Sequence, residues 1–289
     1  MGQSKIEWSE FSWNPIAGCA KCSPGCLNCY AERMAWRLAR MYRKYPVDTQ
    51  LKKYHTVMRS GSARWNNKIY CDYSILDKPR HWRKPRRIFV CSMSDLFHPK
   101  VPFEFIEKVM AVIEECPQHT FQILTKRPHI MFEYFSGIGK LYELSCCPNV
   151  HLGVSICTPD EMWKADELRK ILAAVRFISF EPLLADVGDI NLEGIGQVIV
   201  GGESGPGARP MHPDWARNIR DQCVPNGIPF FFKQHGEWLS GADKYALKIN
   251  TYNFYPKRVT RIGNTTFFRV TKKLAGRMLD GREWSEYPK

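Results

Sequence analysis

The chain has 289 residues, 44% of them apolar, with 42 Lys/Arg against 29 Asp/Glu, a formal charge of +13 and eleven cysteines. That length supports a sizeable core in one large domain or two small ones. No apolar run approaches the roughly 18 residues of a spanning helix, and the opening MGQSKIEWSEFSWNP lacks the basic and apolar regions of a signal peptide. The expectation is a cytoplasmic protein with no membrane partner.

In chain order, residues 1–18 read as extended or looped and end on Gly18. A cysteine-rich loop follows at 18–31, GCAKCSPGCLNCYA. The segment 30–45 has good helix formers and no Gly or Pro, and predicts a helix. Residues 46–80 are basic and aromatic without clear periodicity.

A rhythm then sets in. Short apolar runs with polar ends lie at 86–95, 119–128, 149–158, 175–184, 196–205 and 228–236, and predict strands. Helix periodicity occupies 103–116, 160–174 and 212–227. The stretch 129–145 carries two glycines and is less clear.

Strands alternating with helices give an α/β class with parallel strands. A polar tip on each strand predicts a partial (β/α) barrel, with chemistry on loops at the strand C-termini. A doubly wound open sheet is the alternative. The expected organisation is a barrel over 1–239, with the cluster loop at 18–31 and a basic insertion near 46–85. A small basic C-terminal appendage covers 240–289, with a hairpin around Gly263-Asn264 and a short helix after it.

Cys19, Cys22, Cys26 and Cys29 fall within eleven residues. In a reducing compartment such a cluster points to metal or catalysis rather than to disulfides. The other seven cysteines are scattered and read as packing residues. Three thiolates can hold a [4Fe–4S] cluster by three irons and leave the fourth open. In radical S-adenosylmethionine enzymes that open iron takes the amino and carboxylate groups of S-adenosylmethionine. The spacing Cys22-x3-Cys26-x2-Cys29 followed by Tyr30 is common in that superfamily. The competing reading is a four-cysteine zinc site, although only three residues separate its two CxxC pairs.

The stretch WNPIAGCAKCSPGCLNCYAER resembles the N-terminal signature of a phage-associated, three-cysteine-motif family of the radical S-adenosylmethionine superfamily. More distantly, it is similar to spore photoproduct lyase-like enzymes. Further blocks in the same order extend the resemblance over nearly the whole chain: IFVCSMSDLFHPKVP, TFQILTKRP, LGVSICT, FISFEPLL, VIVGGESGPGARPMHPDW, PFFFKQHG and KKLAGRMLDGREW. It implies a bacterial or phage-infected host cell, a [4Fe–4S] cluster and S-adenosylmethionine. It also implies cluster ligands Cys19, Cys26 and Cys29, because position 22 in that family is an apolar β-branched residue where this chain has Cys22. Two triads therefore stand: Cys19, Cys26 and Cys29, which we prefer, and Cys22, Cys26 and Cys29.

On a partial barrel the cofactor would lie across the strand tips. Ser92, Ser94 and Asp95 follow the first clear strand after the loop and could hydrogen-bond its amino group. Lys126 and Arg127 suit a carboxylate or phosphate. Ser155 ends the next strand, and Glu181 could take ribose hydroxyls. Gly201, Gly202 and Glu203 sit in GGESG, where glycine allows close backbone approach. Asp95 and Glu203 are also candidate catalytic proton carriers. His98 and His212, each beside a proline, read as structural.

Residues 37–87 hold fifteen Lys/Arg against three acids, interleaved with aromatics, and 244–289 hold eleven against three. Basic plus aromatic composition grips phosphates and stacks on bases. The run RHWRKPRR makes Arg83, Lys84, Arg86 and Arg87 candidate nucleic-acid contacts, with DNA or RNA as partner. The leading reading is a radical S-adenosylmethionine enzyme that generates a 5′-deoxyadenosyl radical for hydrogen abstraction. A nucleic-acid-binding protein with a structural zinc or inert iron–sulfur site is the alternative, and an enzyme that needs a partner protein is a third.

Overall fold

The computed structural model describes residues 6–47, 49–137, 147–246 and 258–288. Cys146, the end of the unclear stretch before it and part of the basic appendage lie outside the described residues. Two compact units form: Met1–Cys22 with Cys29–Val154 and Lys164–Arg176, and Ser23–Asn28 with Ser155–Trp163 and Phe177–Lys289.

In the first unit, strands β1 (Phe11–Trp13), β4 (Arg87–Val90), β5 (Thr120–Thr125) and β6 (Val150–Ser155) run parallel in that order. A small antiparallel pair, β2 (Ile16–Ala17) and β3 (Tyr70–Cys71), stands apart from them. Helix α1 (Tyr30–Lys44) buries Ala31, Ala35 and Ala39, a small-residue seam one helical turn apart. That seam belongs to the same apolar cluster as Tyr54 and Val57 of α2 (Thr49–Val57). Helix α3 (Phe103–Glu114) buries Phe105, Ile106, Val109, Met110, Val112 and Ile113, each side chain contributing about 1.5–3 kcal/mol on leaving water. Helices α4 (Pro128–Ser136) and α5 (Trp163–Arg169) complete the rhythm.

The second unit carries β7 (Val175–Phe180), β8 (Gln197–Gly201) and β9 (Phe230–Gln234), parallel in that order, with α6 (Pro213–Cys223) before the last. Phe230, Phe231 and Phe232 are all fully buried, so both faces of β9 are covered, as a parallel strand requires. An antiparallel sheet follows, with β10 (Trp238–Ser240) and β11 (Val259–Ile262) on either side of β12 (Thr265–Arg269). Beyond these, α7 (Gly241–Ala246), α8 (Lys272–Ala275) and the pair β13 (Met278–Leu279) and β14 (Arg282–Glu283) close the chain.

Seven parallel strands with intervening helices make the α/β partial barrel that the rhythm predicts. The hairpin at Gly263-Asn264 is present, with Ile262 opposite Thr265. Two elements differ from expectation. The helix predicted over 160–174 is shorter at both ends: Pro159–Glu161 form a separate 3-10 turn before α5, and α5 stops at Arg169. Helix α2 occupies part of the stretch without visible periodicity, because its buried face mixes Leu51, Tyr54 and Val57 with the buried cation Lys53. Strand β1 falls in the stretch read as extended or looped; it has only three residues, of which Trp13 alone is buried. No helix among the described residues is long and apolar enough to cross a membrane.

Candidate functional site

Cys19, Cys26 and Cys29 are half-buried thiols and Cys22 is exposed; none is in a disulfide. Cys29 is the N-cap of α1, at the helix end that favours negative charge. Among the described residues, no group of three or more His, Cys, Asp or Glu side chains is gathered to hold a metal ion.

In the first unit the loop is fastened by a buried ion pair. Asp95 Oδ2 lies 2.8 Å from Arg127 Nη1, and both side chains are 7% exposed. Arg127 Nη2 donates to Ala20 O at 2.7 Å, and its Nη1 lies 4.0 Å from Cys19 Sγ. Burial works against the Arg127 charge, but Asp95, Cys19 and Cys22 more than offset this and raise its pKa. Asp95 Oδ1 accepts from Phe97 N at 3.1 Å and Thr125 Oγ1 at 2.7 Å, and Oδ2 also from Lys126 N at 3.2 Å. Four donors fill the carboxylate, so its geometry is that of an anchor for Arg127 rather than of a proton carrier. Ser92 Oγ donates to Asn14 Oδ1 at 3.1 Å and Ser94 Oγ to Ile16 O at 3.0 Å. Tyr30 OH donates to Ser92 O at 2.5 Å. Lys126 is half-buried beside this group.

In the second unit a second pair holds the segment Ser23–Asn28. Arg209 reaches Glu203 Oε1 through Nη2 at 2.7 Å and Oε2 through Nε at 2.8 Å, and its backbone N donates to Oε2 at 2.8 Å. Arg209 Nη2 also donates to Pro24 O at 3.0 Å. Asn28 Nδ2 donates to Glu203 Oε2 at 3.0 Å and to Gly207 O at 2.6 Å. Burial pushes the Glu203 carboxyl up, but hydrogen bonds from Arg209 and Asn28 more than offset it and hold it below the usual range. Gly25 packs so tightly that a Cβ there would lie 2.3 Å from Cys157 Sγ. Ser23 caps the 3-10 turn Pro24–Cys26, its Oγ accepting from Gly25 N at 3.2 Å.

The remaining strand-tip residues also sit in the second unit. Glu181 pairs with Lys233 at 2.8 Å and accepts from Ser179 Oγ at 3.1 Å. Ser155 Oγ donates to Glu181 O at 3.1 Å. A Cβ on Gly201 would meet Glu181 Oε1 at 2.8 Å, and one on Gly202 would meet His235 O at 2.2 Å. The space a Cβ would take at these glycines is therefore filled by the chain itself. His212 caps α6, its Nδ1 accepting from Asp214 N at 3.2 Å, as its structural reading expects.

The basic run divides. Arg83 and Lys84 are exposed, whereas Arg86 stacks 3.8 Å from the Phe11 ring centroid and Arg87 faces Glu10 at 4.0 Å. Of the interleaved aromatics, Tyr54 and Trp65 are buried and cannot stack on bases. Sequence reasoning did not single out Arg209, Asn28 or Glu32. The only signal for Arg209 was its place in GESGPGAR, six residues after Glu203.

Fold and site together define a class: an α/β partial-barrel protein whose thiols sit on an early loop anchored by carboxylate–arginine pairs. Over residues 3–288 the chain matches the family described as "Protein of unknown function (DUF5131)", and it belongs to that family. No curated protein matches it. Among solved structures it is similar to spore photoproduct lyase complexed with dinucleoside spore photoproduct, at 11% identity and a TM-score of 0.45, covering 94% of this chain and 72% of that one. It is also similar to a double mutant of that lyase with bound AdoMet and dinucleoside spore photoproduct, at 12% identity and a TM-score of 0.41, covering 93% and 71%.

Proposed function

We propose that the chain is a radical S-adenosylmethionine enzyme in which Cys19, Cys26 and Cys29 hold a [4Fe–4S] cluster. The carrying observation is the loop itself: three half-buried thiols on a segment fastened by Arg127 at Ala20 and by Arg209 at Pro24. The donor set fits the group, since thiolates are the usual ligands of such clusters. Each thiolate would bind a different iron, so the sulfurs need not converge on one point. Exposed Cys22 is left out of the set. When bound, the cluster supplies one-electron cleavage of S-adenosylmethionine to methionine and a 5′-deoxyadenosyl radical, which takes a hydrogen atom from substrate.

The chain's own residues orient and shield. Asp95 holds Arg127, and Arg127 holds Ala20 beside Cys19, which makes both positioning residues. Glu203 does the same for Arg209, Pro24 and Asn28. S-adenosylmethionine contacts are assigned to Ser92, Ser94, Lys126, Ser155, Glu181, Gly201 and Gly202 as proposals. Exposed Arg83 and Lys84 are assigned to a nucleic-acid partner on the same footing.

Electron paramagnetic resonance on anaerobically reconstituted, dithionite-reduced protein tests this. A [4Fe–4S] signal that changes on adding S-adenosylmethionine is expected. Cys26→Ala and Cys29→Ala should lose the iron, and Cys22→Ala should keep it. Zinc in place of iron would overturn the reading and favour a structural site. Loss of iron in Cys22→Ala with retention in Cys19→Ala would select the other triad.

A further inference from the structure

A cavity of about 820 Å³ opens in the first unit beside the cysteine loop. Lys21, Arg59, Arg64, Lys100 and Arg127 line it, and Glu32 is the only carboxylate there among the described residues. Glu32 lies 3.5 Å from Lys21 and 3.7 Å from Arg64, and its Oε1 accepts from Trp65 N at 2.8 Å. Arg127 is balanced by Asp95. Arg59 Nε donates to Trp65 O at 3.1 Å, and Lys100 Nζ to Asn67 O at 2.8 Å. Both of these cations donate to a neutral backbone carbonyl, which leaves the positive charge unneutralised. The wall therefore carries a surplus of cations.

His98 adds a second, independent observation. It is 3% exposed and lines the same cavity. Its Nδ1 accepts from Lys100 N at 3.2 Å, which places the proton of the neutral ring on Nε2. That Nε2 is buried and has no hydrogen-bond partner among the described residues. A buried donor without an acceptor costs free energy, and an anion in the cavity would supply one. Its place beside Pro99 reads as structural; only the fold shows the unused donor.

We propose that this cavity is a phosphate-binding site for a nucleotide-sized ligand, with His98 Nε2, Arg64 and Lys100 among the groups that hold the phosphate. Its volume lies in the range of small-molecule sites. Several separate cations suit a multiply charged phosphate better than a single carboxylate. The cationic wall disfavours the sulfonium of S-adenosylmethionine, so the site is distinct from one for that cofactor. It also needs no iron, so its test is separate from that of the iron–sulfur reading.

The test is titration calorimetry at fixed ionic strength with inorganic pyrophosphate, a nucleoside triphosphate and a 5′-phosphorylated dinucleotide, on the full chain. Saturable one-site binding of pyrophosphate is expected. Tighter binding of the triphosphate would identify a free nucleotide as the source, and tighter binding of the dinucleotide a strand end. Arg64→Gln with Lys100→Gln should weaken pyrophosphate by about tenfold or more, since each removes a charged hydrogen bond. Arg64 has a side chain 56% exposed, so its replacement leaves the fold intact. His98→Asn keeps an acceptor for Lys100 N and removes the Nε2 donor, and should also weaken binding. Absence of saturable binding, or an unchanged affinity in the Arg64/Lys100 variant, overturns the proposal. Competitive displacement of pyrophosphate by S-adenosylmethionine would overturn it too, by returning the cavity to the cofactor.

Discussion

At the scale of single residues, the two carboxylates at the strand tips act on the cysteine loop through arginines. Removing the charge of Asp95 leaves Arg127 buried without a counter-ion, and breaking such a pair costs about 3–5 kcal/mol. Asp95→Asn should therefore lower the unfolding midpoint and reduce iron retention after reconstitution. A structural role alone would lower the midpoint but leave the iron per folded chain unchanged, and that split is the readout. Glu203 carries a pH signature. Its folded pKa lies below the unfolded value, so its contribution is full above the ordinary glutamate range and is lost as pH falls through the lowered value. Glu203→Gln should remove that part of the acid sensitivity, as urea midpoints measured at pH 5 and pH 3 would reveal.

At the scale of elements, the junction of β8 with the loop after β9 has no room for a side chain. Gly202→Ala would set a Cβ 2.2 Å from the His235 carbonyl, a backbone atom that cannot rotate away. The cost is expected to exceed the roughly 1–3 kcal/mol of ordinary overpacking, and thermal unfolding would measure it. If the midpoint were unchanged, the close approach of these segments would not exist. The same scale shows what the sequence made legible. The β4 to β9 rhythm was readable because each strand is a short apolar run buried on both faces and ended by polar residues. Strand β1 was legible only as extended or looped chain, since three residues are too short for a pattern and pairing with β4 makes them a strand. The cysteines were legible from their spacing. Their anchors were not, because Arg127 is more than a hundred residues from Cys19 in sequence and Arg209 lies in a loop with no motif of its own.

At the scale of the whole molecule, four histidines shielded from water contribute to the response to acid. Burial is the first cause lowering the pKa of His98, His119, His151 and His235, with His98 and His151 brought to about 4. Arg127 and Lys100 push His98 further the same way, against Asp95. In the unfolded chain a histidine titrates near 6.5. Above that pH neither state binds the proton, and stability is at its plateau. Between about pH 6.5 and 4 the unfolded state takes protons that the folded state refuses, so stability must fall with pH. Below about 4 both states are protonated at His98 and His151, and the carboxylates held low by their partners take over the loss. Thermal midpoints from pH 8 to 4 should thus be level above about 6.5 and decline steadily beneath it. His151→Phe should flatten the decline without moving the plateau by a comparable amount, since it removes one proton-uptake site from the unfolded chain. A midpoint that rose as pH fell from 6.5 to 5 would mean that these histidines are charged in the folded protein. The neutral His98 donor in the cationic cavity would then be excluded as well.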